Sequence, residues 1–158
     1  MTANWDKRFM DLAVHIGNWS KDSSRKVGCV IVGPHNEIRA TGYNGFPRGA
    51  DDGQIERHAR PQKYLWTEHA ERNAIFNAAR SGIPLEGCRI YVPWFPCMDC
   101  ARAIVQVGIK QLIAVRPDEN DPQWGEAFSA ALELFKETNV EIRWFDFSDH
   151  VDDPSPKN

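Results

Sequence analysis

"CRIYVPWFPCMDCARAIVQVGIKQLIAVR", residues 88–116, holds the stretch on which the fold turns. Residues 88–94 form a short apolar, β-branched run that predicts a buried strand. Residues 97–108 follow as a helix ending at glycine, and 111–116 as a further strand. A strand, a helix and a strand in close succession make a parallel crossover.

The same alternation extends in both directions. Upstream, Ala70, Ala74, Ile75 and Ala78 recur on one side of a helix for which Thr67 is the expected N-cap and "SGIP" the stop. Downstream, residues 122–139 form an amphipathic helix and 140–145 a last strand. Near the start, Phe9, Met10, Ala13, Val14 and Ile16 mark a helix over 5–19. The apolar run 27–33, the turn "GPHNE" and residues 38–43 then read as a hairpin. Between hairpin and helix, residues 44–62 carry three glycines and two prolines without periodicity, and are expected to form a long loop. The expected architecture is a three-layer α/β/α domain with a mixed, about five-stranded sheet, parallel at the crossovers and antiparallel at the hairpin. One domain over 1–148 and a polar tail over 149–158 account for the whole chain.

Composition narrows the class. With 42% hydrophobic and 26% charged residues the chain is of globular type, and no apolar run is long enough to cross a bilayer. Its beginning lacks the pattern of a secretion signal, so a cytoplasmic location is expected. A net charge of −3 lacks the basic excess of a nucleic-acid binder. Six tryptophans are more than a core of this size hides, which points to subunit contacts.

Four cysteines would seldom form disulfides in such a chain. Cys29 and Cys88 lie within apolar strands and are expected to be small buried hydrophobes. Cys97 and Cys100 differ: they share a face of the first helical turn, where both sulfurs can reach one ion. His69 opens the preceding crossover helix, and two helices starting from the same edge of a parallel sheet bring their N-termini together. Three ligands suit a catalytic zinc that keeps a fourth position for water. Glu71, two residues past His69, is then the group to take the water's proton. A redox pair of cysteines would need no matching His-x-Glu. A closed structural site would need a fourth ligand from Cys88, His15, His35, His58 or His150.

The pairing of "HAE" (69–71) with "PCMDC" (96–100) resembles the H-x-E…P-C-x-x-C signature of zinc deaminases. Together with "DSSRKVGCVIVGPHNEIRATGYNGFPRGADD" and "HAERNAIFNAAR", it makes the chain similar to the deoxycytidylate (dCMP) deaminases, which have the cytidine deaminase-like fold. The resemblance implies hydrolytic deamination of dCMP to dUMP, with one catalytic zinc per chain and Glu71 as proton carrier. It further implies a small nucleotide or base as substrate, a homo-oligomer, and substrate contacts from Asn44 and Gly45. Arg25 and Lys26 match a phosphate-binding region by the same resemblance. Arg48 could also neutralise a phosphate, and Trp94 and Phe95 stand where a base would stack, though core packing explains them equally well.

This sequence departs from the family in three places. Residues 46–66 carry no cysteine and, of histidines, only His58, which leaves one zinc and not two. Pro93 and Glu68 replace the threonine and the apolar residue or glycine that are more familiar there. Another free cytosine nucleotide, a nucleoside or an amino-substituted base is therefore an alternative substrate. A base within tRNA or DNA is a further one, and a non-catalytic zinc-stapled interaction domain is a third reading.

Overall fold

A computed structural model describes residues 4–150. The elements are α1 (Trp5–Gly17), β1 (Gly28–Val32), β2 (Ile38–Tyr43), α2 (Ile55–His58), α3 (Lys63–Trp66), α4 (Ala70–Arg80), β3 (Arg89–Val92), α5 (Met98–Gln106), β4 (Gln111–Ala114), α6 (Gly125–Glu137) and β5 (Glu141–Trp144). A 3₁₀ turn over Phe147–His150 follows. The expected tail beyond residue 150 lies outside the described residues.

The five strands form one sheet in the order β2-β1-β3-β4-β5. β1 is antiparallel to both β2 and β3, whereas β3, β4 and β5 run parallel, so the sheet is mixed as the sequence predicts. Every residue of β1 is buried, because helices cover both faces of the sheet. Val30, Val32, Tyr91 and Ile113 pack with Phe9, Met10 and Ala13 of α1 on one face. Cys29, Ile31, Ile90, Val92 and Leu112 meet residues of α4, α5 and α6 on the other. This period-2 split between two apolar surfaces defines the three layers.

Two boundaries differ from expectation. Residues 44–62 are not a featureless loop, since α2 lies within them and α3 starts directly after them. Four-residue helices leave no readable periodicity among glycines and charges. Their surroundings hold this segment in place: Phe46 stacks on His58 at 4.6 Å, and the Arg57 guanidinium lies 3.7 Å from the centre of the Trp66 ring.

The N-cap of α4 is His69 and not Thr67, which is instead the C-cap of α3. Just before the helix, Gly45 and Glu68 pair through two backbone hydrogen bonds of 3.0 and 2.8 Å. That bridge keeps the backbone extended through residue 68 and delays the helix start. It also docks the entry to α4 beside the outer edge of β2. Along that edge, Asn73 and Asn77 of α4 donate side-chain amides to the carbonyls of Tyr43 and Thr41 at 2.8 and 2.7 Å.

The closeness of α4 to β2 requires Gly42. A Cβ placed there would come within 2.3 Å of the Ala74 nitrogen and 2.5 Å of the Ala70 carbonyl oxygen. Both are backbone atoms and cannot swing aside. Gly42→Ala is therefore expected to lower stability by about 1–3 kcal/mol through overpacking. A urea midpoint unchanged from wild type would count against this contact.

Candidate active site and metal centre

His69 and Cys97 are the N-caps of α4 and α5, yet neither makes the side-chain capping bond usual at that position. Both have extended backbones, with φ/ψ of −79°/155° and −71°/172°. An N-cap side chain can leave along the helix axis, so it escapes the 100° rotation per residue that separates neighbours inside a helix. Residues two positions apart within a helix would face nearly opposite sides. His69 stands outside the helix and Glu71 is the second residue within it, so the two can serve one location.

Cys97 Sγ and Cys100 Sγ each lie 3.4 Å from His69 Nδ1. All three ligand atoms fall within 4.8 Å of one another. A tetrahedral zinc with ordinary Zn–S and Zn–N lengths needs sulfur–nitrogen separations of about 3.5 Å. The donor set and its spacing thus fit zinc. Among the described residues no other cluster of three such side chains could hold a metal.

The three ligand groups hold their protons unequally. Cys97 is drawn down to about 4, chiefly by a hydrogen bond with Cys100 and also by His69. His69 is pushed up to about 9 by its hydrogen bond with Cys97. The bond to Cys97, together with burial, raises Cys100 well above the ordinary thiol range. One thiolate is therefore ready as a ligand, while a dication arriving at this point would have to displace the protons of Cys100 and His69. Glu71 is 4% exposed, and burial pushes its carboxyl up against the opposing pull of His69. Cys29 and Cys88 are both buried free thiols, and Cys29 lies near enough to Glu71 to feel its charge.

A cavity opens over this cluster. Its wall includes His69, Glu71 and Cys97 together with Arg25, Asn44, Trp94 and Phe95. The Arg25 guanidinium lies over Trp94, 3.6 Å from the ring centre. Phe95 is 2% exposed and packs against Phe128, Phe135 and Trp144, so it belongs mainly to the core. The Asn44 side chain accepts from Val27 N at 2.9 Å and donates to the Arg25 carbonyl at 2.9 Å. Its amide thus braces the segment that carries Arg25.

Gly45 and Arg48 stand apart from this cavity. Gly45 lines a neighbouring hollow beside Phe46 and His58. Arg48 is exposed and donates to the Asn77 side chain on α4, which draws it away from the cavity. Lys26 is also exposed and outside the cavity wall. Sequence reasoning overlooked Asp22, Arg60, Lys63, Tyr64 and Trp124, all of which line the cavity. Trp124, at the N-cap of α6, stands edge-on to His69 at 6.0 Å and to Tyr64 at 6.0 Å. Its one signal in the sequence was a surplus of tryptophan, of which only Trp5 and Trp19 prove to be exposed.

A histidine and two cysteines around one ion position, with a buried glutamate beside them, are the equipment of a zinc-dependent deaminase. The comparisons agree: the chain belongs to the cytidine and deoxycytidylate deaminase zinc-binding family, whose description matches residues 3–116. It is 42% identical over 145 residues to an uncharacterized deaminase in luxG 3'region of Aliivibrio fischeri, covering 91% of this chain and 95% of that one. It is 39% identical over 146 residues to the deoxycytidylate deaminase of Mus musculus, covering 89% and 79% of the two chains. Its fold is similar to that of the dCMP deaminase from cyanophage S-TIM5 in complex with dCMP and dUMP, with a TM-score of 0.74 at 24% identity over 92% of this chain and 99% of that one.

The ligand assignment makes a direct prediction. Purified wild-type protein should hold zinc stoichiometrically after dialysis, and Cys100→Ala should lose most of it while keeping its helical circular dichroism. Full zinc retention by that variant in elemental analysis would remove Cys100 from the ligand set.

Proposed function

We propose that this chain hydrolyses dCMP to dUMP and ammonia. The observation that carries the reading is the convergence of His69, Cys97 and Cys100 beside Glu71 at a cavity whose wall also carries Arg25 on Trp94. The relatives named as deoxycytidylate deaminases support the choice of substrate.

His69, Cys97 and Cys100 would hold the zinc, which when bound supplies Lewis acidity toward a water molecule. Two thiolate ligands offset the ion's charge, so proton removal falls to a protein base. Glu71 is that base: it takes a proton from the attacking water and passes it to N3 of the ring, then takes the second proton from the new C4 hydroxyl and gives it to the departing amine. Water adds at C4, the C4–N bond breaks, and ammonia leaves. Burial suits Glu71 to this shuttle, because a carboxyl raised from its ordinary range exchanges protons more readily near neutral pH.

The Arg25 guanidinium covers the Trp94 ring, and among the described residues no protein acceptor is bonded to it. Those free donors are placed for the substrate's phosphate. Asn44 acts through the backbone it braces.

The catalytic unit is taken as residues 1–148, active in the cytoplasm as a homo-oligomer. The four free thiols favour a reducing compartment. Trp19 and Tyr43, exposed and meeting edge-on at 6.1 Å, provide an aromatic surface suited to subunit contact. Among the described residues no helix is long and apolar enough to cross a membrane.

Glu71→Ala should retain its zinc and lose roughly 10²–10⁴ in kcat. An ammonia-release screen over dCMP, CMP, dCTP, deoxycytidine and cytosine tests the substrate. Activity confined to an unphosphorylated base, or undiminished turnover by Glu71→Ala, would overturn the reading.

A further inference from the structure

Besides the ligand cluster and Glu71, four charged side chains line the cavity: Asp22, Arg25, Arg60 and Lys63. They are not equivalent. Lys63 Nζ reaches both carboxylate oxygens of Asp22, at 3.1 and 2.8 Å, and the two side chains are only 10% and 11% exposed. Asp22 also accepts the backbone N–H groups of Ser24 and Arg25, at 2.7 and 3.1 Å. Burial opposes its ionisation, but the Lys63 hydrogen bond and those N–H groups outweigh burial and hold the carboxyl below its ordinary range. Nearby, Lys21 is engaged with Asp52 and does not line this cavity.

The Asp22–Lys63 pair contributes no net charge. What remains is two guanidinium groups, Arg25 over Trp94 and Arg60 whose carbon lies 6.0 Å from the Tyr64 ring centre. Among the described residues neither guanidinium is bonded to a protein acceptor. Two free positive charges match a phosphate monoester, which carries about −1.5 to −2 at neutral pH. A nucleoside leaves them unmatched, and a triphosphate exceeds them.

We propose that Asp22 and Lys63 form a charge-setting pair that restricts the cavity to a nucleoside monophosphate, with Asp22 cancelling a third cation that would otherwise favour more highly charged nucleotides. This rests on the reading given under Proposed function. The role is one of specificity: neither residue is required to touch the base. A bare structural strut would have served as well with two apolar side chains, since burying an ion pair costs desolvation that good packing does not.

Two substitutions shift the balance in opposite directions. Asp22→Asn keeps an acceptor for the Ser24 and Arg25 N–H groups but leaves Lys63 uncompensated, raising the free charge by one. Lys63→Gln leaves Asp22 uncompensated and lowers the free charge by one. The test measures kcat/KM by ammonia release for deoxycytidine, dCMP and dCTP, with zinc content determined in parallel. Asp22→Asn should raise the dCTP-to-dCMP ratio about tenfold, the effect of ~1.4 kcal/mol. Lys63→Gln should raise the deoxycytidine-to-dCMP ratio by a similar factor. Both shifts should lie in KM with kcat little changed, diminish at high salt, and vanish in the double variant.

Either single variant suffices if the other fails to fold. Parallel loss on all three substrates, or ratios that stay at wild-type values, would overturn the proposal while leaving dCMP deamination standing. A wild-type enzyme that releases no ammonia from dCMP would remove the underlying reading, and the charge assignment with it.

Discussion

Everything at the active site depends on two helix N-termini meeting with metal ligands in their cap positions. An N-cap normally stabilises its helix by accepting a backbone N–H, and losing that bond costs about 0.5–2 kcal/mol. His69 and Cys97 both forgo it. The ligand atoms are instead turned toward one another, 3.4 Å apart. The helix ends still contribute, because their positive dipole ends favour a thiolate at Cys97. An ion bound at this point would stabilise the starts of α4 and α5 in place of the missing caps, so folding and metal binding are expected to be linked.

The sheet provides the frame for that meeting. β3 and β4 are parallel and adjacent, so α5 starts from the same edge of the sheet as α4, which follows β2. The Gly45–Glu68 bridge then sets where α4 begins. A helix starting at Thr67 would have carried His69 into its first turn, and the imidazole and Glu71 would have diverged. A short backbone pairing therefore decides whether histidine and glutamate face one location.

Much of this was legible in the sequence, for reasons that also mark the limits. Strands such as residues 88–94 announce themselves by continuous apolar character, and glycine at 108 punctuates the helix between them. The ligands and Glu71 stood out because their residue types and spacing suit only a few kinds of chemistry. The start of α4 was misplaced by two residues because Thr67 is a good N-cap by type, and nothing local signalled the bridge to Gly45. Asp22 and Lys63 lay beyond reach for a similar reason. They are 41 positions apart, in segments without periodicity, and only the folded chain brings them together. Arg48 misled in the opposite sense, since a cation within a glycine-rich stretch suits an anion site, while its actual partner is an asparagine on a helix 29 residues away.

The asparagines of α4 have an effect outside the active site. β2 is a border strand of the sheet, and such borders can recruit a strand from another molecule. Here the outward carbonyls of Thr41 and Tyr43 are already occupied by Asn77 and Asn73, and Gly45 is taken by Glu68. The helix that carries Glu71 thus also seals the sheet on this side. Copies of the chain that come together here must join through side-chain surfaces, because adding a β-strand would first have to pull the active-site helix away.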